Sequence, residues 1–409
     1  MTKRPVPSGR GASSFFVASS ACSRAARRAS FAPTSHPMSA DDSMSELRLY
    51  VGTYTDRTPG ASRGIWSALF DTSTGKLSAP SPAAELANPS WVTPSRDGRF
   101  LYAVSEVGAP DAAGVPSGLV VAYAVDGSGK LTELDRVSSR GADPCHLAVS
   151  RSGRTVAVAN YTGGSTVWFR VGAEGRLGAA TTDQHSGKGP NTQRQEGPHA
   201  HSVDFAADDR HLLSCDLGND RIYLYQHDAR TGAITAHTPS FVGLEPGTGP
   251  RHLALHPSGR YAYVLGELAS VVATFAWNGA DGTLVQRQRV PTLPAGTTTD
   301  NSTAEIAVHP NGRFVYASNR GHDSIAVFAV DARNGQLTLL ANTPTGGQTP
   351  RNFVIDPGGR WLLAANQRSD SIVTFAIDAT RGTLTRTGAA VAVPRPVCIA
   401  FAAAVAPAR

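Results

Sequence analysis

The feature that most constrains this chain is a turn that returns at a nearly constant interval. Asp97-Gly98-Arg99, Ser152-Gly153-Arg154, Asp208-Asp209-Arg210, Ser258-Gly259-Arg260, Asn311-Gly312-Arg313 and Gly358-Gly359-Arg360 place their arginines 55, 56, 50, 53 and 47 residues apart. Alternating apolar residues run into and out of each turn, as in Leu253 and Leu255 before Pro257 and Tyr261, Tyr263 and Leu265 after it. Period-two alternation between Pro/Gly turns marks short antiparallel strands. A third run follows (Val271–Trp277), then a Gly-containing turn and a short fourth run such as Gly335-Gln336-Leu337-Thr338. Four strands per repeat at this period predict an all-β propeller rather than a solenoid.

Six repeats are complete, and the two ends supply a seventh. Arg48–Tyr54, Ile65–Phe70 and Gly75–Leu77 read as second, third and fourth strands without a first, whereas Arg395–Phe401 reads as a first strand without partners. Pairing them closes a seven-bladed ring over residues 46–405 and removes the open edges that invite aggregation.

The formal charge of +6 is not a property of that body. Residues 1–45 are rich in Ser, Ala and Arg, without strand periodicity. The first forty hold six of the 38 basic residues and no acid, which leaves 32 of each sign. A neutral body gives no electrostatic footprint for nucleic acid or a membrane surface. The stretch reads as a disordered tail, or as sequence upstream of a start at Met38 or Met44. No segment approaches the ~20 apolar residues of a membrane-spanning helix. Cys22, Cys145, Cys215 and Cys398 lack metal-ligand spacing and are expected to be reduced thiols of a cytoplasmic protein.

Aligning the repeats on the turn arginine exposes the chemistry. Nine residues before it stand Ser90, Cys145, His201, Arg251, Ala304 and Arg351; eight before, Trp91, His146, Ser202, His252, Glu305 and Asn352. Seven after come Glu106, Tyr161, Leu217, Glu267, Arg320 and Gln367; six after, Asn160, Asp216, Asn319 and Asn366. Core strands rarely carry so many polar groups in register unless they line a polar cavity. An antiparallel pair joined by a tight turn brings its two outer ends together, so Arg251 and Glu267 are expected to be neighbours. One inter-blade connection, 183–201, is long and polar and falls on the same rim, as binding loops often do. It carries Lys188, Arg194, Gln195, His199 and His201. Its His-x-His pair has no further ligand cluster at suitable spacing, so neither a metal nor any other cofactor is expected.

Several segments resemble the seven-bladed propeller lactonases, the bacterial-type 6-phosphogluconolactonases and related carboxymuconate cyclases. The most specific are Arg194-Gln195-Glu196-Gly197-Pro198-His199-Ala200-His201-Ser202 and Ser318-Asn319-Arg320-Gly321-His322-Asp323-Ser324-Ile325. Tyr50–Thr55, Asn160-Tyr161, Gly249–His252, Glu267-Leu268 and Thr349–Phe353 support them, so the resemblance spans 47–403. It implies a rim active centre of one histidine, two arginines and a glutamate. These fall on His199 or His201, Arg251, Arg320 and Glu267, with Lys188, Arg194, Gln195, Asn160 and Arg351 as substrate-binding candidates. The implied activity is opening of 6-phospho-D-glucono-1,5-lactone in the pentose phosphate route by a monomeric hydrolase. A muconate-type diacid or another sugar lactone, or a non-catalytic binding propeller, are the alternatives. Lactone hydrolysis needs a base for water and cationic donors for the oxyanion. Either a histidine or Glu267 is eligible as base, and no Gly-x-Ser-x-Gly elbow is present.

Because residues 1–45 hold most of the charge excess and no strand pattern, a chain starting at Ser45 is expected to keep full thermal stability and activity. Differential scanning calorimetry beside a turnover assay checks this, and a large loss of either would tie the tail to the ring.

Overall fold

The computed structural model describes residues 46–55, 62–111 and 114–402; the expected tail 1–45 with Cys22, and residues 403–405 of the expected domain, lie outside the described residues. Seven antiparallel sheets form the blades. Blades 1 to 6 span 92–138, 144–184, 200–243, 250–291, 302–344 and 350–392, each with four strands in sequence order. The seventh combines both ends of the chain, with Pro396–Phe401 innermost, then Glu46–Thr53 and Gly64–Asp71. Its outer edge is split between Lys76–Leu77 and Ser81–Glu85, both paired with Gly64–Asp71. Among the described residues no helix is long and apolar enough to cross a membrane.

Alternation makes both faces of the middle strands apolar, because each blade is covered by a neighbour on either side. Seven apolar clusters result, one at each blade-to-blade interface. A repeated polar tie fixes the angle between blades. The hydroxyls of Tyr50, Tyr102, Tyr263 and Tyr316 donate to the carbonyls of Gly129, Gly175, Gly335 and Gly382, each in the outer turn of the next blade, at 2.8–3.0 Å. Gly335 has φ +75°, and a Cβ there would stand 2.5 Å from the Tyr261 ring, so the turn tolerates only glycine. The turn arginines serve the same architecture. Arg210, Arg260 and Arg313 donate to the outer-turn carbonyls of Gly279, Ala332 and Ala379 in the neighbouring blade.

Ring closure rests on five paired positions between Pro396–Phe401 and Glu46–Thr53. Deleting 397–409 removes that strand and exposes the inner edge of Glu46–Thr53, its one paired neighbour. The truncated chain is expected to be insoluble or to melt without a cooperative transition; a soluble variant with one sharp melting transition would overturn the closure argument.

Candidate active site

Two consecutive residues of a regular strand point to opposite faces, yet the columns seen in the sequence place consecutive polar residues on the channel. The inner strands solve this with a bulge at their first turn of chain. In blade 4, Pro250 pairs with Gly266 and His252 with Leu265, which leaves Arg251 as the extra residue. The same irregularity frees His201 between Ala200 and Ser202, Arg351 between Pro350 and Asn352, and Cys145 between Pro144 and His146. Blade 5 extends it, freeing both Ala304 and Glu305. A bulge re-aims a side chain, and here it turns both Arg251 and His252 to the axis. Rings from four blades meet there, with Trp91 4.1 Å from His146, and His252 5.1 Å from His146 and 5.3 Å from His201.

Glu267 occupies the centre of the channel mouth and is 3% exposed. Its Oε2 lies 2.9 Å from Arg251 Nε and 3.0 Å from Arg320 Nη2, and its Oε1 accepts a 2.7 Å hydrogen bond from Arg194 Nη2. The Arg251 contact is ionic, without hydrogen-bond alignment, and Arg320 Nε is buried without a partner. Burial alone would push the Glu267 carboxyl up, but Arg320, Arg251 and Arg194 together outweigh it and hold it at about 2. Burial, only partly offset by Glu267, lowers Arg320 to about 10. Arg251 also donates from Nη1 to the Ala304 carbonyl and, at 3.1 Å, to His252 Nε2. Arg351 faces the same mouth from blade 6. Its Nη2 donates to the Tyr54 hydroxyl at 2.8 Å, and that hydroxyl donates to Glu106 Oε1 at 2.9 Å.

The two candidate histidines of the long loop part company. His199 has both ring nitrogens engaged, Nδ1 at 3.0 Å from the Tyr161 carbonyl and Nε2 at 3.1 Å from Glu196, and it stacks on Tyr161. His201 instead turns Nε2 toward Glu267 Oε2 at 3.9 Å and Nδ1 toward Cys145 Sγ at 3.7 Å. Burial and then the Arg251 charge lower His201 well below the usual histidine range, so its imidazole is neutral at neutral pH.

The other expected binding residues divide similarly. Arg194 and Arg351 join the cluster. Gln195 is fully buried and folds the loop on itself, donating to the Leu217 carbonyl and accepting from Asn191 N. Asn160 is fully buried and donates to the Ser139 carbonyl and Ser165 Oγ; Asn319 makes the equivalent bonds to Thr292 and Ser324. That column therefore ties one blade's second strand to its own third strand and to the chain entering it through Asn160 Nδ2, while Asn160 Oδ1 is buried without a partner. Lys188 is exposed and makes no hydrogen bond or ion pair with the cluster among the described residues. The loop itself is pinned by His185, whose Nδ1 lies 2.6 Å from Asp216 Oδ2 while Asp216 Oδ1 accepts from the His199 amide.

Arg194 and Arg320 also wall an open pocket of about 670 Å³, shared with Asn191, Ser302, Thr349 and Arg368. A hollow of about 590 Å³ near the turns of blades 1 and 2 holds none of the cluster residues; the ionic cluster, not cavity size, locates the site. No group of three or more His, Cys, Asp or Glu among the described residues is arranged to hold a metal ion. The sequence reading ranked His252, Glu305, Cys145 and Glu106 with their columns without giving them roles. Tyr54 escaped it because its contact with Arg351 spans 297 residues.

A closed ring with a charged channel mouth defines a propeller of enzymatic type, and comparison with known proteins gives it a family. The model of the seven-bladed beta-propeller lactonases matches residues 48–401, and the chain belongs to that family of carboxylic-ester hydrolases. A 6-phosphogluconolactonase of Bacillus subtilis is 38% identical over 355 residues, covering 86% of this chain and 97% of that protein. One from Formosa agariphila is 33% identical over 318 residues, covering 75% of this chain and 85% of its own. The solved periplasmic gluconolactonase of Pseudomonas aeruginosa superposes with a TM-score of 0.79 at 34% identity, over 88% of this chain and 99% of that one.

Glu267 is the shared counter-charge of three guanidinium groups, so Glu267→Gln leaves them facing one another in a buried site. Removing one partner of a buried ionic network costs about 3–5 kcal/mol. Urea unfolding is expected to show a loss of that size at pH 7, and a variant as stable as the parent would show that the cluster is solvated.

Proposed function

We propose that this chain hydrolyses 6-phospho-D-glucono-1,5-lactone to 6-phosphogluconate, as a cytoplasmic monomer. The observation that carries the reading is charge. Three arginines, Arg194, Arg251 and Arg320, converge on one ionised carboxylate, Glu267, with Arg351 beside them on Tyr54, and the adjoining pocket adds Arg368 against Asp300 and Asp323. Such a mouth attracts an anionic substrate and can stabilise a second negative charge as it develops. Three free buried thiols, Cys145, Cys215 and Cys398, suit a reducing compartment.

Of the two eligible bases, His201 suits the role better. Three guanidinium groups leave Glu267 with almost no basicity, whereas His201 stays neutral at neutral pH and within 3.9 Å of the carboxylate. His201 takes a proton from water as the oxygen attacks the lactone carbonyl, and Arg251 and Arg320 hold the oxyanion. Collapse breaks the ring C–O bond, and the protonated imidazole returns its proton to the leaving alkoxide. Glu267 keeps both guanidinium groups aimed. The likeness to a gluconolactonase favours a second reading in which the sugar lactone carries no phosphate.

The deciding measurement is turnover of glucono-1,5-lactone with and without the 6-phosphate. A kcat/KM at least ~10-fold higher for the phosphorylated lactone is expected, and preference for the plain lactone would transfer the assignment to the second reading. Arg251→Ala is expected to lower kcat/KM by about 100-fold or more with the fold intact, because it removes a charge-assisted contact to the oxyanion. Arg251→Lys recovers little, since an ammonium cannot reproduce the guanidinium fork. The loss of activity that comes from protonating the base lies below pH 6.5, because burial delays protonation of His201. Near-parental turnover by Arg251→Ala would move the chemistry elsewhere.

A further inference from the structure

Beneath the channel mouth lies a buried polar layer that the hydrolysis steps do not use. His252, Glu305 and Asn352, from blades 4, 5 and 6, are 3%, 8% and 3% exposed. Their hydrogen bonds have only one consistent set of directions. Arg251 Nη1 can only donate, so His252 Nε2, 3.1 Å away, must accept. His252 therefore carries its proton on Nδ1 and donates it to Glu305 Oε1 at 3.0 Å. The amide of Ile399 donates to Asn352 Oδ1 at 2.9 Å, which turns the Asn352 Nδ2 donor onto Glu305 Oε2 at 2.6 Å. The amide of Ile306 supplies a third donor at 3.0 Å. The three donors run toward Glu305, and an ionised carboxylate accepts all of them with no O–H of its own to place.

We propose that Glu305 is a positioning residue for hydrolysis, which sets the tautomer of His252 and thereby fixes the Arg251 guanidinium on the reacting group. The inference rests on the lactonase reading and assigns Glu305 no contact with substrate. A protonated Glu305 brings an extra O–H donor into a layer already filled by donors and is the weaker acceptor for Asn352 Nδ2 and His252 Nδ1–H, which loosens the set. His252 then no longer offers Arg251 a fixed acceptor.

Ionisation of the layer falls within the working range of pH. Burial pushes Glu305 up to about 7, against the lowering effects of Arg251, the Ile306 amide and Asn352. The groups that face it are Arg251 and His252 of blade 4, Asp204 of blade 3, Asn352 of blade 6 and the Cys398 thiol of blade 7. Asp204 is itself pushed up to about 8 by burial and by Glu305, and burial pushes the Cys398 thiol up to about 12. The His252 imidazole is held neutral by burial, then by Arg251. The active form is the ionised one, so kcat gains a step as pH rises through about 7. That step lies above the separate loss at low pH that His201 produces.

The test combines kinetics with a readout independent of turnover. Glu305→Gln is expected to lower kcat at pH 8 by about 10-fold with KM within about twofold, and to erase the step near pH 7 while the His201 loss remains. In an Arg251→Lys background the same change should cost less than about twofold, because both act through one guanidinium. His252→Gln, whose amide can accept from Arg251 and donate to Glu305, should keep most of kcat, whereas His252→Leu should lose about 10-fold. Nitrogen NMR of labelled parent protein should show His252 as the Nδ1–H tautomer above pH 7. A parental kcat and pH profile in Glu305→Gln, a loss that multiplies with Arg251→Lys, equal effects of the two His252 variants, or an Nε2–H tautomer each overturns the proposal. If Glu305→Gln does not fold, the His252 pair and the tautomer decide. A parent that shows the Nδ1–H tautomer but hydrolyses neither lactone would instead count against the proposed function alone.

Discussion

Burying a guanidinium group costs several kcal/mol unless a counter-charge goes with it, and the channel mouth brings the buried Arg251 and Arg320, with the half-exposed Arg194, onto the single carboxylate of Glu267. The arrangement is possible because antiparallel geometry returns the chain from Arg251 to Glu267 within one hairpin, while Arg194 and Arg320 arrive from the long loop and the next blade. The same carboxylate that neutralises the arginines is stripped of basicity by them. On the proposed reading the labour divides: Glu267 holds the donors in place, and the neutral imidazole at His201 takes the proton.

The architecture was legible because it is written in periodic signals. Turn arginines, strand alternation and complementary incomplete repeats at the two ends are each local, and their spacing gave the ring and its closure. Arg251 and Glu267 were legible as neighbours for the same reason, since one hairpin joins them. What the sequence did not reveal is which polar columns face the axis and which tie the blades. Asn160, Asn319 and Asn366 recur as regularly as the channel residues, yet the first two are spent on carbonyl and hydroxyl groups near their own blades. Recurrence reports a shared backbone need as readily as a shared function. The exchange between His199 and His201 was likewise invisible, because strand phase at Ala200 is broken by a bulge that no residue type announces.

The long loop shows how a polar segment is made rigid without a core of its own. His185 and Asp216 are buried beneath it, and Asp216 also receives the amides of His199 and Gly218. One carboxylate thereby fixes both ends of the insertion to blade 3, and Gln195 closes the middle. Arg194 emerges from a scaffold that is already hydrogen-bonded, so little ordering entropy remains to be lost when it meets its partners.

The seam between Pro396–Phe401 and Glu46–Thr53 has a consequence during synthesis. At the ribosome Glu46–Thr53 and Gly64–Asp71 of blade 7 emerge before any other blade, and their innermost neighbour is translated some 350 residues later. At roughly 5–20 residues per second, that interval is tens of seconds in which Tyr50, Val51 and their neighbours have no inner strand to cover them. Blades 1 to 6 can each complete their four strands in passing, but closure of the circle itself must wait for Pro396–Phe401 to emerge. Its rate is set by the encounter of two segments from opposite ends of the polypeptide, which makes the nascent chain's dependence on time, and on any holdase that shields the early strands, a property of topology rather than of stability.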